Sequence, residues 1–151
     1  MNWRQRWSCD KGAELVEFAL IFPLLLLTVM GIIDTGFLFQ RYEVLTNAAR
    51  EGARIAVLPG YAQSDVQARV DEYLTAGGLV AGSATVSFLP TQAVNVGGPG
   101  GVCMTVTGVT VTYPHNFTFV GPILGFFGQN LTSATLTSTA RMRYEGAALA
   151  C

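Results

Sequence analysis

The order of apolar and polar positions divides the chain into a long helical first part and a β-rich second part. An uncharged apolar run extends from Phe18 to Ile33, and apolar residues keep helical spacing from Tyr42 to Leu58. Pro59 and Gly60 then favour a helix end. We therefore expect one nearly continuous helix over residues 13–58, whose roughly 46 residues would reach about 69 Å, about twice the thickness of the hydrocarbon core of a bilayer.

The second part predicts one more helix and a sheet. A capping box of Ser64 with Gln67 would open a helix over residues 65–75. Alternating Thr- and Val-rich stretches predict strands over residues 84–89, 102–113 and 131–144, the first ended by Pro90 and the second bulged at Gly108. The predicted fold class is α+β: a long N-terminal transmembrane helix that continues into a small outer domain with a second helix and an antiparallel β-sheet.

The charges around the apolar run indicate a membrane anchor that is retained. Arg4, Arg6 and Lys11 precede the run, and basic residues favour the cytoplasmic side. The run is longer than the apolar core of a usual secretory signal. Its 16 or so residues cover only about 24 Å, so the span must extend to about residue 39, which places Asp34 near the outer interface with its carboxylate reaching water. The predicted organisation is a cytoplasmic leader over residues 1–12, an anchor over 13–40 and an extracytoplasmic domain over 41–151, with helix 41–58 as its first element.

Composition and charge disfavour catalysis and nucleic-acid binding. Half of the residues are apolar, 13% are charged and the net charge is −1, so a phosphate backbone is an improbable partner. From Tyr73 to Ala140 the sequence has no Asp, Glu, Lys or Arg, and its one histidine, His115, is most simply a turn residue. The sequence shows no metal-ligand spacing and no phosphate-binding glycine loop. We predict no catalytic residue, no cofactor and no metal.

Two surfaces leave alternatives open. Ala48, Gly52 and Ala56 form a stripe of small residues that would pack on the protein's own sheet, on a helix of another subunit, or on each with a different part of the helix. The charged residues beside this stripe are most simply its solvated face: Arg41, Glu43, Arg50, Glu51 and Arg54. The apolar segment Asn116 to Gly128 is either a loop packed on the core or an exposed patch that contacts a partner or the membrane surface.

The cysteines divide between the predicted compartments. Cys9 lies in the leader, whereas Cys103 and Cys151 lie outside the membrane, where a disulfide can persist. We predict a bond between these two. The alternatives are a buried Cys103 and a free or intermolecular Cys151.

Both ends of the sequence carry a resemblance to a known family. The stretch GAELVEFALIFPLLLLTVMGIIDTGFLFQRYEVLTNAAREGARIA, Gly12 to Ala56, and more weakly the tail LTSTARMRYE, Leu136 to Glu145, resemble the TadE-like family of minor pilins or pseudopilins of tight-adherence (Flp, type IVc) pilus systems. The resemblance implies cleavage after Gly12 by a prepilin peptidase, which would free the amine of Ala13 and make Glu17 the fifth residue of the product. Phe18 departs from the family pattern, in which many members carry Tyr.

The resemblance also implies partners and a location. The partners would be the prepilin peptidase, the major pilin, another minor pilin, the inner-membrane assembly platform and the lipid bilayer. Along the N-terminal helix we assign assembly roles to Glu17, Pro23, Asp34, Ala48, Gly52 and Ala56, with a kink rather than a break at Pro23. The protein would reside in the bacterial cytoplasmic membrane, its N-terminus inside and its outer domain outside or in the extracellular pilus. The alternative is an uncleaved, membrane-anchored binding or adhesion module.

Overall fold

A computed structural model describes residues 10–98, 103–126, 128 and 132–144. Along the chain these residues form helix α1 (Asp10–Ala56), helix α2 (Gln63–Ala76), a single 3-10 turn (Ala81–Ser83), strands β1 (Thr85–Asn95) and β2 (Cys103–Asn116), helix α3 (Val120–Phe126) and strand β3 (Ser133–Arg143). The predicted α+β class is confirmed, and so are the long first helix, the second helix and the antiparallel sheet. Helix α3 was not predicted; it lies within the apolar segment Asn116 to Gly128.

The three strands form one sheet in the order β1-β2-β3, with both pairs antiparallel. The predicted bulge at Gly108 is wrong, because β2 pairs through Gly108 with Leu89 on one side and Arg141 on the other. The register shifts instead on β1, between Leu89 and Gln92. A side chain at Gly108 would overlap the carbonyl oxygen of Ala140, so glycine serves close strand approach here rather than a bulge.

Pro90 does not end the first strand. Strand β1 continues past it to Asn95, and Pro90 lies at the register shift. Strand β1 is an edge strand, where the missing N–H of a proline costs no ladder hydrogen bond. The strand is therefore longer than the predicted range of 84–89.

The core of the outer domain lies where the upper part of α1 meets α2 and the sheet. Its fully or nearly fully buried apolar residues include Leu45, Ala48, Ala49, Ala53, Val66, Val70, Leu74, Val109 and Val111. Small side chains on α1 allow this close approach: a Cβ at Gly52 would lie 2.7 Å from Cγ2 of Val70 on α2. The sheet and both helices thus share one core.

The start of α2 differs from the predicted capping box. The helix begins at Gln63, so Ser64 lies inside it and cannot cap it. The N-cap is Ala62, and the carboxylate of Asp65 accepts a hydrogen bond from its backbone N–H at 2.8 Å, which is the role predicted for Gln67. A carboxylate in the first turn also interacts favourably with the helix dipole. Gln67 instead donates to Asp71 at 3.1 Å.

Candidate functional site

The lower half of α1 exposes a continuous apolar surface. Within the described residues, one helix is long and apolar enough to cross a membrane, Gly12–Ala56, with a mean hydropathy of 2.4 in its most apolar window and none of that window buried. The most exposed large side chains on it are Leu15, Leu20, Leu24 and Ile32. A core helix of a soluble protein would bury such side chains. Their exposure indicates a membrane anchor.

The four residues of the predicted processing site lie on the first turns of this helix. Gly12, Ala13, Glu17 and Phe18 are all solvent-exposed. A Cβ at Gly12 would meet no atom within 4 Å, so packing does not explain this glycine. The ring of Phe18 lies 5.3 Å from that of Phe22, one turn further along. The site is therefore sterically open along one helix face.

Pro23 lies inside α1, which remains helical on both sides of it. A proline at this position lacks the N–H that would bond the carbonyl of Ala19. The predicted continuity of the helix through Pro23 is thus what the structure shows. Farther along, the hydroxyls of Thr28 and Thr35 donate to the carbonyls four residues earlier at 2.9 and 2.7 Å, which satisfies two polar groups within the apolar region.

Asp34 binds the outer domain, and the expectation that its carboxylate reaches water is wrong. Only 2% of the residue is exposed. Its carboxylate accepts three backbone hydrogen bonds: Oδ1 from the N–H of Thr118 at 3.1 Å, and Oδ2 from those of Phe119 at 2.9 Å and Val120 at 2.7 Å. These donors lead into α3, so Asp34 ties the anchor helix to the start of that helix.

Beyond the contact of Asp34 with the start of α3, Arg41 and His115 form a polar contact between α1 and strand β2. Nη1 of Arg41 lies 3.1 Å from Nδ1 of His115, which accepts this hydrogen bond because a guanidinium only donates. His115 is a strand residue and 1% exposed, so its prediction as a turn residue is wrong. Arg41 is half-buried and does not belong to the solvated face.

The surroundings of His115 favour its neutral form. Burial lowers the pKa of the imidazole, the positive charge of Arg41 lowers it further, and the negative charge of Asp34 opposes both effects. Its ring packs edge-on against Phe117 with centroids 5.0 Å apart. Its Nε2 atom is buried and has no hydrogen-bond partner among the described residues. The imidazole therefore acts as a buried acceptor for Arg41.

The stripe of small residues lies in the outer domain. Ala48 is completely buried, Gly52 packs against α2 and β2, and Ala56 is half-buried at the end of α1. Ala48 and Gly52 of this stripe are thus covered by the protein's own residues. The exposed apolar surface of α1 lies on its lower half.

Glu51 organises the charges between α1 and α2. Its carboxylate pairs with Arg54 at 2.7 Å and with Arg69 of α2 at 3.1 Å. The hydrogen bond from Arg54 lowers the pKa of Glu51 to about 2; burial opposes this effect and Arg69 adds to it. Glu51 is half-buried, so it connects the two helices in addition to facing solvent.

The proposed disulfide partners are only partly described. Cys103 opens β2 and is half-buried, whereas Cys151 lies outside the described residues. Their bond stays a prediction.

Sequence reasoning missed the contacts of Asp34, Arg41 and His115. The signal was present in part: Asp34, Leu38, Arg41 and Leu45 recur at helical spacing and continue into the buried stripe. A charged residue at a position that should be buried is a candidate for a specific partner. The partner itself could not be read from the sequence.

The fold defines a class of protein: one exposed apolar helix that can cross a membrane, continuing into a small α+β outer domain. A family model described as TadE-like protein matches residues 12–54, which confirms the resemblance of this helix to that family. The match covers most of α1 and none of α2 or the sheet. Comparison with curated proteins and with solved structures gives no match.

Proposed function

We propose that this chain is a TadE-like minor pilin or pseudopilin, a single-pass membrane subunit that helps to assemble a tight-adherence (Flp) pilus. The observation that carries the proposal is the family match over residues 12–54, which falls on the helix with the exposed apolar surface. In this proposal the basic leader stays in the cytoplasm and the outer domain lies outside the inner membrane. The partners are other pilins and the assembly platform.

Processing by a prepilin peptidase follows from the same proposal. Cleavage after Gly12 would leave a cationic amine on Ala13, one helical turn before Glu17. Opposite charges one turn apart attract, and removal from water strengthens the attraction. Glu17 would thus bind the new amine, either in its own chain or in a neighbouring subunit.

The first test compares two glycine variants in cells that contain the peptidase. Gly12→Val should block processing, because the branched side chain stands at the scissile bond. Gly31→Val is the matched control, since a Cβ at either position meets no atom within 4 Å. The readout is the mass of the amino terminus. A wild-type product that begins at Ala13 supports the proposal; wild-type protein that retains Met1 would favour an uncleaved membrane-anchored binding or adhesion module.

The second test separates assembly from processing. Glu17→Gln removes the charge that would pair with the amine, whereas Glu14→Gln removes another exposed carboxylate three residues earlier. We expect both variants to insert into the membrane and only Glu17→Gln to lose its association with other pilins. Pull-down of each full-length variant, followed by detection of the other pilus subunits, measures this association. Equal association of both variants would contradict the role of Glu17.

A further inference from the structure

The depth of Asp34 follows from the length of the helix below it. The uncharged run from Phe18 to Ile33 rises about 24 Å at 1.5 Å per residue, about one helical turn short of the ~30 Å hydrocarbon core. Along this length most large apolar side chains are exposed, and Asp34 is the first buried residue after Gly12. An α1 helix that spans the bilayer thus places Asp34 within about one helical turn of the outer boundary of the hydrocarbon core.

Asp34 fixes the position of α3 relative to this boundary. Three backbone N–H groups at the start of α3 donate to its carboxylate at 2.7 to 3.1 Å. The seven residues of α3 extend only about 10 Å from that point. The headgroup layer on each side of the core is roughly 5–8 Å thick. Helix α3 therefore lies in this layer or directly beside it.

The direction of β2 places residues 117–126, the first part of its connection to β3, at the same end of the domain. His115, near the end of β2, contacts Arg41, whereas Ser138, which pairs with Val111 earlier in β2, contacts Thr46 higher on α1. Strand β2 thus runs toward the membrane. Residues 117–126, which contain α3, therefore face the bilayer.

The surface of this connection is apolar. Phe119 is 36% exposed, Pro122 is exposed, and Ile123 and Leu124 are half-buried. The sequence from Asn116 to Gly128 has no charged residue. Aromatic and aliphatic side chains at the boundary of a bilayer bury area that would otherwise contact water.

We propose that Phe119 and the first five residues of α3, Val120–Leu124, dock on the outer surface of the lipid bilayer as a second membrane contact beside the anchor. Asp34 holds this contact in place by binding the start of α3. The occupant of the surface is lipid, because Asp34 holds the start of α3 directly above the exposed apolar length of α1, and the segment carries no charged residue. The proposal rests on α1 crossing the membrane, which is part of the proposed function, and is independent of the pilus.

Depth-dependent fluorescence quenching tests this proposal. Full-length protein with Trp3→Phe and Trp7→Phe is reconstituted in phosphatidylcholine vesicles with lipids brominated at different depths. Phe119→Trp reports on the proposed surface, and Pro122→Trp is a second reporter at an exposed position. Leu26→Trp reports on the anchor. Tyr61→Trp is the matched exposed control, beyond the far end of α1 and on the order of 33 Å above Asp34.

The four tryptophan reporters distinguish the second membrane contact from the anchor. We expect bromines near the glycerol level to quench Phe119→Trp and Pro122→Trp at least twofold, bromines at the chain ends to quench Leu26→Trp, and neither to quench Tyr61→Trp. Quenching of Leu26→Trp without either α3 reporter would overturn the second contact and leave the anchor intact. A blue shift of the α3 reporters with rising protein density, without quenching, would assign the surface to a second copy. Unquenched Leu26→Trp would overturn the anchor and the proposed function with it.

Discussion

Replacement of Asp34 by alanine should release α3 from the anchor helix. The change removes the one carboxylate that accepts hydrogen bonds from Thr118, Phe119 and Val120. It leaves the apolar surface of α1 unchanged, so membrane insertion should persist. The expected effect is local opening of the segment around α3.

The magnitude follows from the three contacts. Their N···O distances are 3.1, 2.9 and 2.7 Å, and a hydrogen bond to a charged acceptor contributes about 1.5–3 kcal/mol. The sum overstates the loss, because the donors are only part-buried and water can replace some of the bonds. The carboxylate also loses hydration when it becomes buried. We therefore expect a loss of about 2–4 kcal/mol in the free energy of local opening, or roughly a 30- to 1000-fold rise in opening.

Amide hydrogen exchange measures this opening directly. In Asp34→Ala, exchange of the amides of residues 118–120 should accelerate by that factor, while exchange in α2 stays unchanged. Asp65→Ala is the matched control: it removes one carboxylate that accepts a single exposed bond from Ala62, and its effect should stay at the start of α2. Unchanged exchange over residues 118–120 in Asp34→Ala would refute the reasoning.

Three further predictions concern the outer domain. Each is measured by chemical or thermal unfolding in detergent, monitored by circular dichroism. The pKa of Glu51 is lowered to about 2 from 4.5, so its contribution to the free energy of unfolding is present above about pH 4.5 and is lost as the pH falls toward 2. Glu51→Gln should remove this pH dependence. It should cost about 1 kcal/mol of that free energy at pH 7, since the exposed arginines are screened by solvent. The pKa of His115 is lowered from 6.5, so the unfolded chain binds the proton more readily, and the free energy of unfolding should decrease as the pH falls below about 6.5. His115→Gln should abolish this decrease. A variant with the same pH profile as the wild type would contradict the prediction. Gly108→Ala should cost about 2 kcal/mol or more because its Cβ would overlap the carbonyl of Ala140, whereas Gly82→Ala, with open space around the Cβ, should be nearly neutral; equal stability of the two variants would refute the packing argument.

The elements that sequence reasoning predicted well are those fixed by local periodicity. Helix α1 was expected over residues 13–58 and spans Asp10–Ala56, because its apolar spacing and the Pro59–Gly60 stop are local signals. Helix α2 was likewise expected from a four-residue spacing that the structure buries. Hydrophobic periodicity depends on burial of one face and needs no knowledge of the partner.

Two of the errors concern contacts between distant parts of the chain. The bulge was assigned to Gly108 because the apolar phase changes there. In the structure, a side chain at this position would overlap the carbonyl oxygen of Ala140 in β3, a neighbour that the sequence alone does not identify. Asp34 was expected to reach water because its membrane depth was the only available constraint. Its actual partners are backbone amides of a segment that had no predicted structure.

The pattern along α1 links these contacts to function. Asp34 and Arg41 lie on one helix face, two turns apart, and each holds a different part of the outer domain: Asp34 holds the start of α3 and Arg41 holds β2. Rotation or sliding of the domain on α1 would break charged hydrogen bonds at both points. The outer domain therefore moves with its anchor as one body in this region. In the proposed pilus, a subunit that packs on the exposed lower half of α1 would therefore also set the orientation of the outer domain.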